Sequence, residues 1–388
     1  MRILTAGESH GPVLTAIIEG FPAGLAIDLE HINNELAQRQ QGYGRGKRMQ
    51  IEQDRVQILS GIRDGKTIGS PITLQIKNKD YENWQQIMNS EYGANSQAKT
   101  LKRQIVKPRP GHADLVGGQK RRFADLRNVL ERSSARETAI YVAVGALCEQ
   151  LLKVLEIQTF SFVQQIGPVV DKSHFDKLSS LERIQTSAVR MISEEKTKAA
   201  CQYINQIQKE GTTIGGRFKV IVDNVPAGIG DYTNWDLKLD GILSQAIMSI
   251  NAVKSVEFGD AESLANLPGS QVMDEILWRA DEGYVRNSNY LGGIEGGMSN
   301  GMPIIISGVM KPIPTQYKPL QTINIQTKEI EYASVERSDT CAVPACSVVA
   351  RHLTNIALLK VILKQFDNVS VERLLEQFHS YKEEIKNY

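Results

Sequence analysis

The chain has 388 residues, 41% hydrophobic and 23% charged, with 45 Lys+Arg against 44 Asp+Glu and a net charge of +1. This is an ordinary globular composition, which excludes disordered, collagen-like and disulfide-scaffold classes. It also argues against a chain-wide polyanion binder, which would be far more basic.

Length allows two or three domains, or one large layered domain. Cys148, Cys201, Cys341 and Cys346 form no C-x-x-C pair and have no histidine at zinc-finger spacing. They read as reduced thiols, with no metal centre expected. The short apolar run ending at Ala6 is too short for a signal-peptide core, and no apolar stretch approaches the ~18 residues of a membrane span. A cytoplasmic protein with no membrane association is expected. Charge is concentrated: residues 99–136 hold eleven basic and three acidic side chains. A local positive field in a neutral chain suggests a small-anion site. Nucleic acid is disfavoured, because the same window offers one aromatic for stacking, Phe123.

In chain order, residues 1–18 read as strand, Gly-rich turn and strand. Asp28 caps a helix through Arg39, with Ile32 and Leu36 on one face. Residues 41–48 form a Gly/Arg loop. Residues 50–61 and 70–77 alternate as strands, with an Asp64-Gly65 turn between them. Residues 81–103 read as a polar surface excursion. Pro108 and Pro110 hold the backbone extended ahead of His112 and Asp114. Ser134 and Glu137 form a capping box that opens a long helix to about Glu156, with small residues on its apolar stripe. Strands are expected at 160–170, 213–225 and 304–309, with a polar helix at 180–208. Asp236 caps a helix through Met248, Pro344 opens a helix to Phe366, and Ser370 starts the last helix. Strands and helices interleave irregularly, so the fold class is α+β, or layered β-α-β.

Two phosphate motifs nearly occur and fail. Residues 61–67 have three residues between the glycines where a P-loop needs four, and residues 42–47 lack the third glycine of a dinucleotide fingerprint. Arg39, Arg45, Lys47 and Arg48 fit either a solvated basic loop or an anion-binding one. His10 and His112 each sit in a Gly-containing turn beside a hydroxyl or carboxylate, Ser9 and Asp114. Either could exchange protons near neutral pH, or could simply bond to backbone. Arg132, Ser133, Ser134 and Arg136 crowd the expected start of the long helix, where N–H groups favour an anion. Glu336 to Thr340 fits a cap and salt bridge, or a substrate clamp and base.

Five blocks in order resemble the chorismate synthase family over essentially the whole chain: residues 7–11 (GESHG), 109–114 (RPGHAD), 132–138 (RSSARET), 292–304 (GGIEGGMSNGMPI) and 337–341 (RSDTC). The chain departs from the pattern at Gly111, Asn251 and Ser338. The resemblance implies one domain over residues 1–388, an α+β fold with helices packed between two antiparallel sheets, and a homotetramer. It implies a lyase of aromatic amino-acid biosynthesis, the last common step of the shikimate pathway. Phosphate is eliminated 1,4-anti from 5-enolpyruvylshikimate 3-phosphate to give chorismate, with reduced FMN required and no net redox change. No nicotinamide domain is added to the blocks, so a separate NAD(P)H-dependent flavin reductase is the expected partner. By position, His10 would protonate the leaving phosphate and His112 would protonate the reduced flavin and hold it in its anionic form. Asp339, assisted by Ser9, would relay the proton from the substrate ring. Arg39, Arg45, Arg109, Arg136 and Arg337 would bind substrate anions. Arg132, Ser133, Ser134, Asn251, Ala252, Gly296, Lys311, Pro312, Ile313, Pro314 and Thr315 would contact flavin, with Arg337 touching both ligands.

Overall fold

The computed structural model describes residues 1–46, 53–91, 103–336 and 338–388. β1 (Arg2–Ala6) and β2 (Val13–Glu19) form an antiparallel hairpin around the first Gly-rich turn. β3 (Val56–Ser60) follows, then the short β4 (Ile62–Arg63) and β5 (Lys66–Thr67), which close on Asp64-Gly65, and then β6 (Ile72–Lys77). The first sheet has the order β1-β2-β6-β3. Alternation puts Leu14, Ala16, Ile18, Ile72, Leu74 and Ile76 on its inner face, each nearly or fully buried. The strand expected over 50–61 is confined, among the described residues, to β3.

β7 (Gln158–Ile166), β8 (Val169–Val170), β9 (Gly216–Asp223), β10 (Val253–Phe258) and, further on, the strand Ile304–Met310 make the second sheet, also antiparallel throughout. Between them in sequence lie two hairpins: β11 (Ile276–Arg279) with β12 (Gly283–Arg286), and β13 (Ile294–Glu295) with β14 (Met298–Ser299). The strand Ile304–Met310 is therefore β15, and the sheet order is β10-β15-β9-β7-β8. A last hairpin joins β16 (Gln321–Ile323) to β17 (Ile330–Tyr332).

The helices in chain order are α1 (Leu29–Gln40), α2 (Asp114–Arg121), α3 (Arg127–Ser133), α4 (Thr138–Val154), α5 (Lys177–Thr186) and α6 (Glu194–Lys209). They continue with α7 (Leu239–Met248), α8 (Ala261–Asn266), α9 (Gly269–Val272), α10 (Val343–Gln365) and α11 (Val371–Lys386). α4 lies on β2 and β6 of the first sheet, α10 lies on β7 and β9 of the second, and α1 touches both helices. One hydrophobic core runs through both sheets and these helices. The expected order, helices between two antiparallel sheets, is what is seen. Small residues let the two central helices approach: a Cβ on Gly145 would lie 2.5 Å from the His352 carbonyl oxygen.

Several expectations change. Ser134 does cap, accepting from Arg136 N–H, but it opens a 3-10 turn (Ala135–Glu137), and α4 begins only at Thr138. Glu137 does not complete a capping box: its carboxylate pairs with Arg132 and accepts from Tyr141. The polar helix at 180–208 is two helices, because Val189, Met191 and Ile192 between them are buried. Asp236 lies in a turn, and α7 starts after Lys238 without a side-chain cap. α10 is long and apolar enough to cross a bilayer, contrary to the sequence expectation. However, 89% of its most apolar window is buried inside the protein, as befits the central helix of a core. His352 is fully buried on α10 and bonds Glu35 of α1, which Arg351 also engages. Burial raises the Glu35 carboxyl, but the Arg351 charge and the His352 bond overcome it and hold the group down at about 2.

Candidate active site

Gly7 opens the first turn with φ +115°, and a Cβ there would lie 2.3 Å from the Val13 carbonyl oxygen. Only glycine fits so close a return of the chain. Three side chains then grip the turn. Asn78 donates to the Gly11 (2.7 Å) and Glu8 (3.1 Å) carbonyls, Arg132 donates to Gly7 (2.9 Å), and Glu131 accepts from the His10 N–H (2.8 Å). The result places Ser9 and His10, both buried, on the wall of a cleft of about 1620 Å³.

The His10 ring stacks on Trp84, centroids 3.9 Å apart, and its Nδ1 lies 2.9 Å from Glu131 Oε1. Residues 81–91 are thus more than a surface excursion, since they deliver a buried indole to the cleft. Opposite stands the second histidine. His112 Nδ1 lies 2.6 Å from Asp114 Oδ1, and Arg109 grips both oxygens of Asp114 at 2.8 and 3.0 Å. Arg109 also donates to Thr315 Oγ1 at 2.8 Å. Burial raises the Asp114 carboxyl, but bonds from His112 and Arg109 prevail and hold it far below the usual carboxylate range.

The anion wall is built on Asp54. This buried carboxylate takes Arg136 at 2.6 Å and Arg39 at 3.8 Å. Arg136 Nε also donates to Asn78 at 2.8 Å, so the arginine wall and the first turn share one bolt. Burial pulls the Arg39 guanidinium down to about 9, with Asp54 opposing and the Arg136 and Arg45 charges adding to the fall. Its Nη1 is buried and makes no hydrogen bond among the described residues. Among the described residues, the guanidiniums of Arg39, Arg45 and Arg136 meet two carboxylates, Asp54 and Asp339. Asp339 accepts from Gly46 N–H at 2.6 Å and pairs with Arg45 at 3.1 Å, holding the Gly/Arg loop over the cleft. Lys47, Arg48 and Arg337 lie outside the described residues.

The third wall is made of interlocked backbone. Asn251 donates to the Ser133 carbonyl at 3.0 Å, and Lys311 N–H donates to the Ala252 carbonyl at 2.9 Å. Ser133, Ser134, Asn251, Ala252, Lys311, Ile313, Pro314 and Thr315 all line the cleft, and Pro312 does not. Burial, then the Lys254 charge, pulls the Lys311 ammonium down. Two expected flavin contacts also fail to line it. Arg132 turns to Gly7, Thr5 and Glu137, because α3 ends at Ser133 and sends its side chain behind the turn. Gly296 sits at the tip of the β13–β14 hairpin. Among the described lining residues, eight are Lys or Arg and three are Asp or Glu. Lys120, Arg121 and Arg122 of the basic window are instead exposed on α2 and just beyond it.

A family model described as chorismate synthase matches residues 1–363. Curated chorismate synthases from Staphylococcus aureus strains JH9 and Newman are each 52% identical over 377 residues, covering 97% of both chains. A crystal structure of a chorismate synthase superposes with a TM-score of 0.80 at 39% identity, over 100% of this chain and 98% of that one. The chain belongs to the chorismate synthase family.

As a chorismate synthase it is a lyase, and two of its departures from the common pattern have local reasons. Gly111 has φ +77°, which suits glycine better than serine. Asn251 uses its amide to tie the 251–252 turn to Ser133. Four residues that line this cleft or hold its walls carry no sequence signature of a site: Trp84 lines it, and Asp54, Asn78 and Glu131 hold its side chains from behind. Glu131 had only a weaker signal, its place as an acid among bases. Of the three acids in the basic window, Asp114 and Glu131 each take a histidine, while Asp125 caps backbone N–H groups of Ile105 and Arg127.

Proposed function

We propose that this chain converts 5-enolpyruvylshikimate 3-phosphate to chorismate and inorganic phosphate, with reduced FMN bound beside the substrate. The observation that carries the reading is that His10, His112 and Asp339, from three distant blocks, line one arginine-walled cleft with Lys311 and residues 313–315. Sites for one small molecule run to about 300–1,000 Å³, so a cleft of about 1620 Å³ accommodates substrate and cofactor together. The donor set fits both: guanidiniums for a phosphate and two carboxylates, and two lysines with interlocked backbone for a flavin phosphate and ring. When bound, reduced flavin supplies the electron chemistry.

The chain's own residues bind, orient and move protons. Arg39, Arg45, Arg109 and Arg136, with Arg337, neutralise the substrate's charges and the departing phosphate. His10 gives a proton to the phosphate oxygen as the C–O bond breaks and its electron pair leaves with that oxygen. Asp339, with Ser9, relays the proton lost from the substrate ring, so chorismate and phosphate together account for every atom. His112, fixed by Asp114 and Arg109, holds a proton for the flavin. Ser133, Ser134, Asn251, Ala252, Lys311 and residues 313–315 carry the cofactor. Arg132 supports this wall from behind, through the first turn.

We further place the protein in the cytoplasm as a homotetramer of single-domain chains, supplied with reduced flavin by a separate NAD(P)H-dependent reductase. The continuous core supports the single domain. The test is an anaerobic assay of chorismate formation with and without reduced FMN. One phosphate per chorismate and no net reductant use are expected. NADPH consumption matched to product would refute the reading.

A further inference from the structure

We propose that Glu131 is a positioning carboxylate for His10, holding its ring in place and fixing its proton on Nδ1. This rests on the role given to His10 above. Four contacts from Glu131 of α3 hold the ring and the backbone on either side of it. Glu131 Oε1 and Oε2 lie 2.9 and 3.0 Å from Nδ1, the same carboxylate accepts the His10 backbone N–H at 2.8 Å, and its carbonyl accepts Ser9 N–H at 2.8 Å. Trp84 covers one face of the imidazole at 3.9 Å, interplanar angle 27°, and its indole N–H is anchored on Asp80 at 3.2 Å. The imidazole therefore has little freedom to turn, and Nδ1 is committed to an acceptor.

A carboxylate accepts and does not donate, so Nδ1 must carry a hydrogen. Proton exchange with a ligand then falls to Nε2. Burial raises the Glu131 carboxyl, but the bonds and charge from His10, then the Arg127 charge, keep it below the usual carboxylate range and hence anionic. Among the described residues, two other charged groups lie near. Arg127 donates to Glu131 at 3.2 Å but is shared with Glu336 at 3.0 Å, and Arg103 lies over the far ring, Trp84, at 4.5 Å. Glu131 is the charge in direct contact with the imidazole among the described residues.

Glu131→Gln separates charge from shape, because the amide oxygen can still accept from Nδ1. Turnover of Glu131→Gln should therefore stay within about tenfold of the wild type, whereas Glu131→Leu, which removes the acceptor, should lose ~10²-fold or more. The substrate KM should change little. Nitrogen chemical shifts of His10 in the ligand-free protein should show the Nδ1–H tautomer in the wild type and in Glu131→Gln, and its loss in Glu131→Leu. A loss of turnover in Glu131→Gln as large as in Glu131→Leu would overturn the hydrogen-bonding role. An Nε2–H tautomer in the wild type would overturn the positioning role. If the wild type makes no chorismate, the reading of function falls, and the tautomer measurement alone then decides for or against the Glu131–His10 coupling.

Discussion

The two histidines of the cleft reach the same arrangement by opposite routes. His112 takes its carboxylate from two residues away, Asp114, along a backbone stiffened by Pro108 and Pro110. His10 takes its carboxylate from 121 residues away, Glu131, across the contact of a hairpin turn with the end of α3. In both pairs an arginine claims a share of the same carboxylate, Arg109 on Asp114 and Arg127 on Glu131. Each carboxylate is thereby kept ionised in a buried setting, so each imidazole has a fixed acceptor at Nδ1. The device recurs, and only its path through the chain differs.

The severest test removes the rings. His10→Ala and His112→Ala should each lower turnover by ~10²–10⁴-fold in the anaerobic assay, with far-UV circular dichroism unchanged. A large loss in one variant and none in the other would break the equivalence of the two pairs. Next, Asp114→Asn leaves the buried Arg109 charge without its partner. It should cost about 3–5 kcal/mol of stability, read by urea denaturation. The sign of its pH dependence follows. The Asp114 carboxyl is depressed in the fold, so its contribution is complete above the unfolded value of ~3.9 and is lost as pH falls through the folded one. Asp114→Asn should therefore flatten the decline of the melting temperature below about pH 3.9, and an unaltered acid branch would reject that pairing.

Smaller effects bear on what surrounds the pairs. Arg136→Ala should weaken substrate binding by ~10–100-fold, the loss of a charged hydrogen bond of about 1.5–3 kcal/mol. Calorimetric titration with the enolpyruvyl substrate measures this, and an unchanged affinity would remove Arg136 from the anion wall. Asn251→Ala should loosen reduced-flavin binding only a few-fold, for a neutral bond of ~1 kcal/mol. A spectral titration distinguishes that from a loss as large as Arg136→Ala, which would shift the balance of the cleft toward the flavin wall.

Legibility in the sequence tracked chain distance. Asp28, Ser370, Pro344 and the Asp64-Gly65 turn did what their local chemistry predicts, because caps and turns are settled within a few residues. The Ser134 box was read only half correctly. Glu137 had a better partner in Arg132, brought close by the end of α3, and no local rule weighs that competition. Trp84 looked like a surface residue in a polar stretch and became the platform under His10, a contact that spans 74 positions of sequence. Arg132 and Arg136 stand four apart in one motif, yet one grips the back of the turn and the other lines the cleft, because a break between helices lies between them.

The order of residues by itself determined which side chains could do chemistry here: two imidazoles, an aspartate and a surplus of guanidiniums, with glycines and prolines setting local backbone paths. Tertiary structure decided which acids neutralise which bases. Asp54, Glu131 and Asp114 each sit where burial strengthens electrostatic attraction, and only folding brings Asp54 to Arg136 and Glu131 to His10. A charge's partner depends on distance through space, which the linear chain does not encode until the two sheets close over the helices.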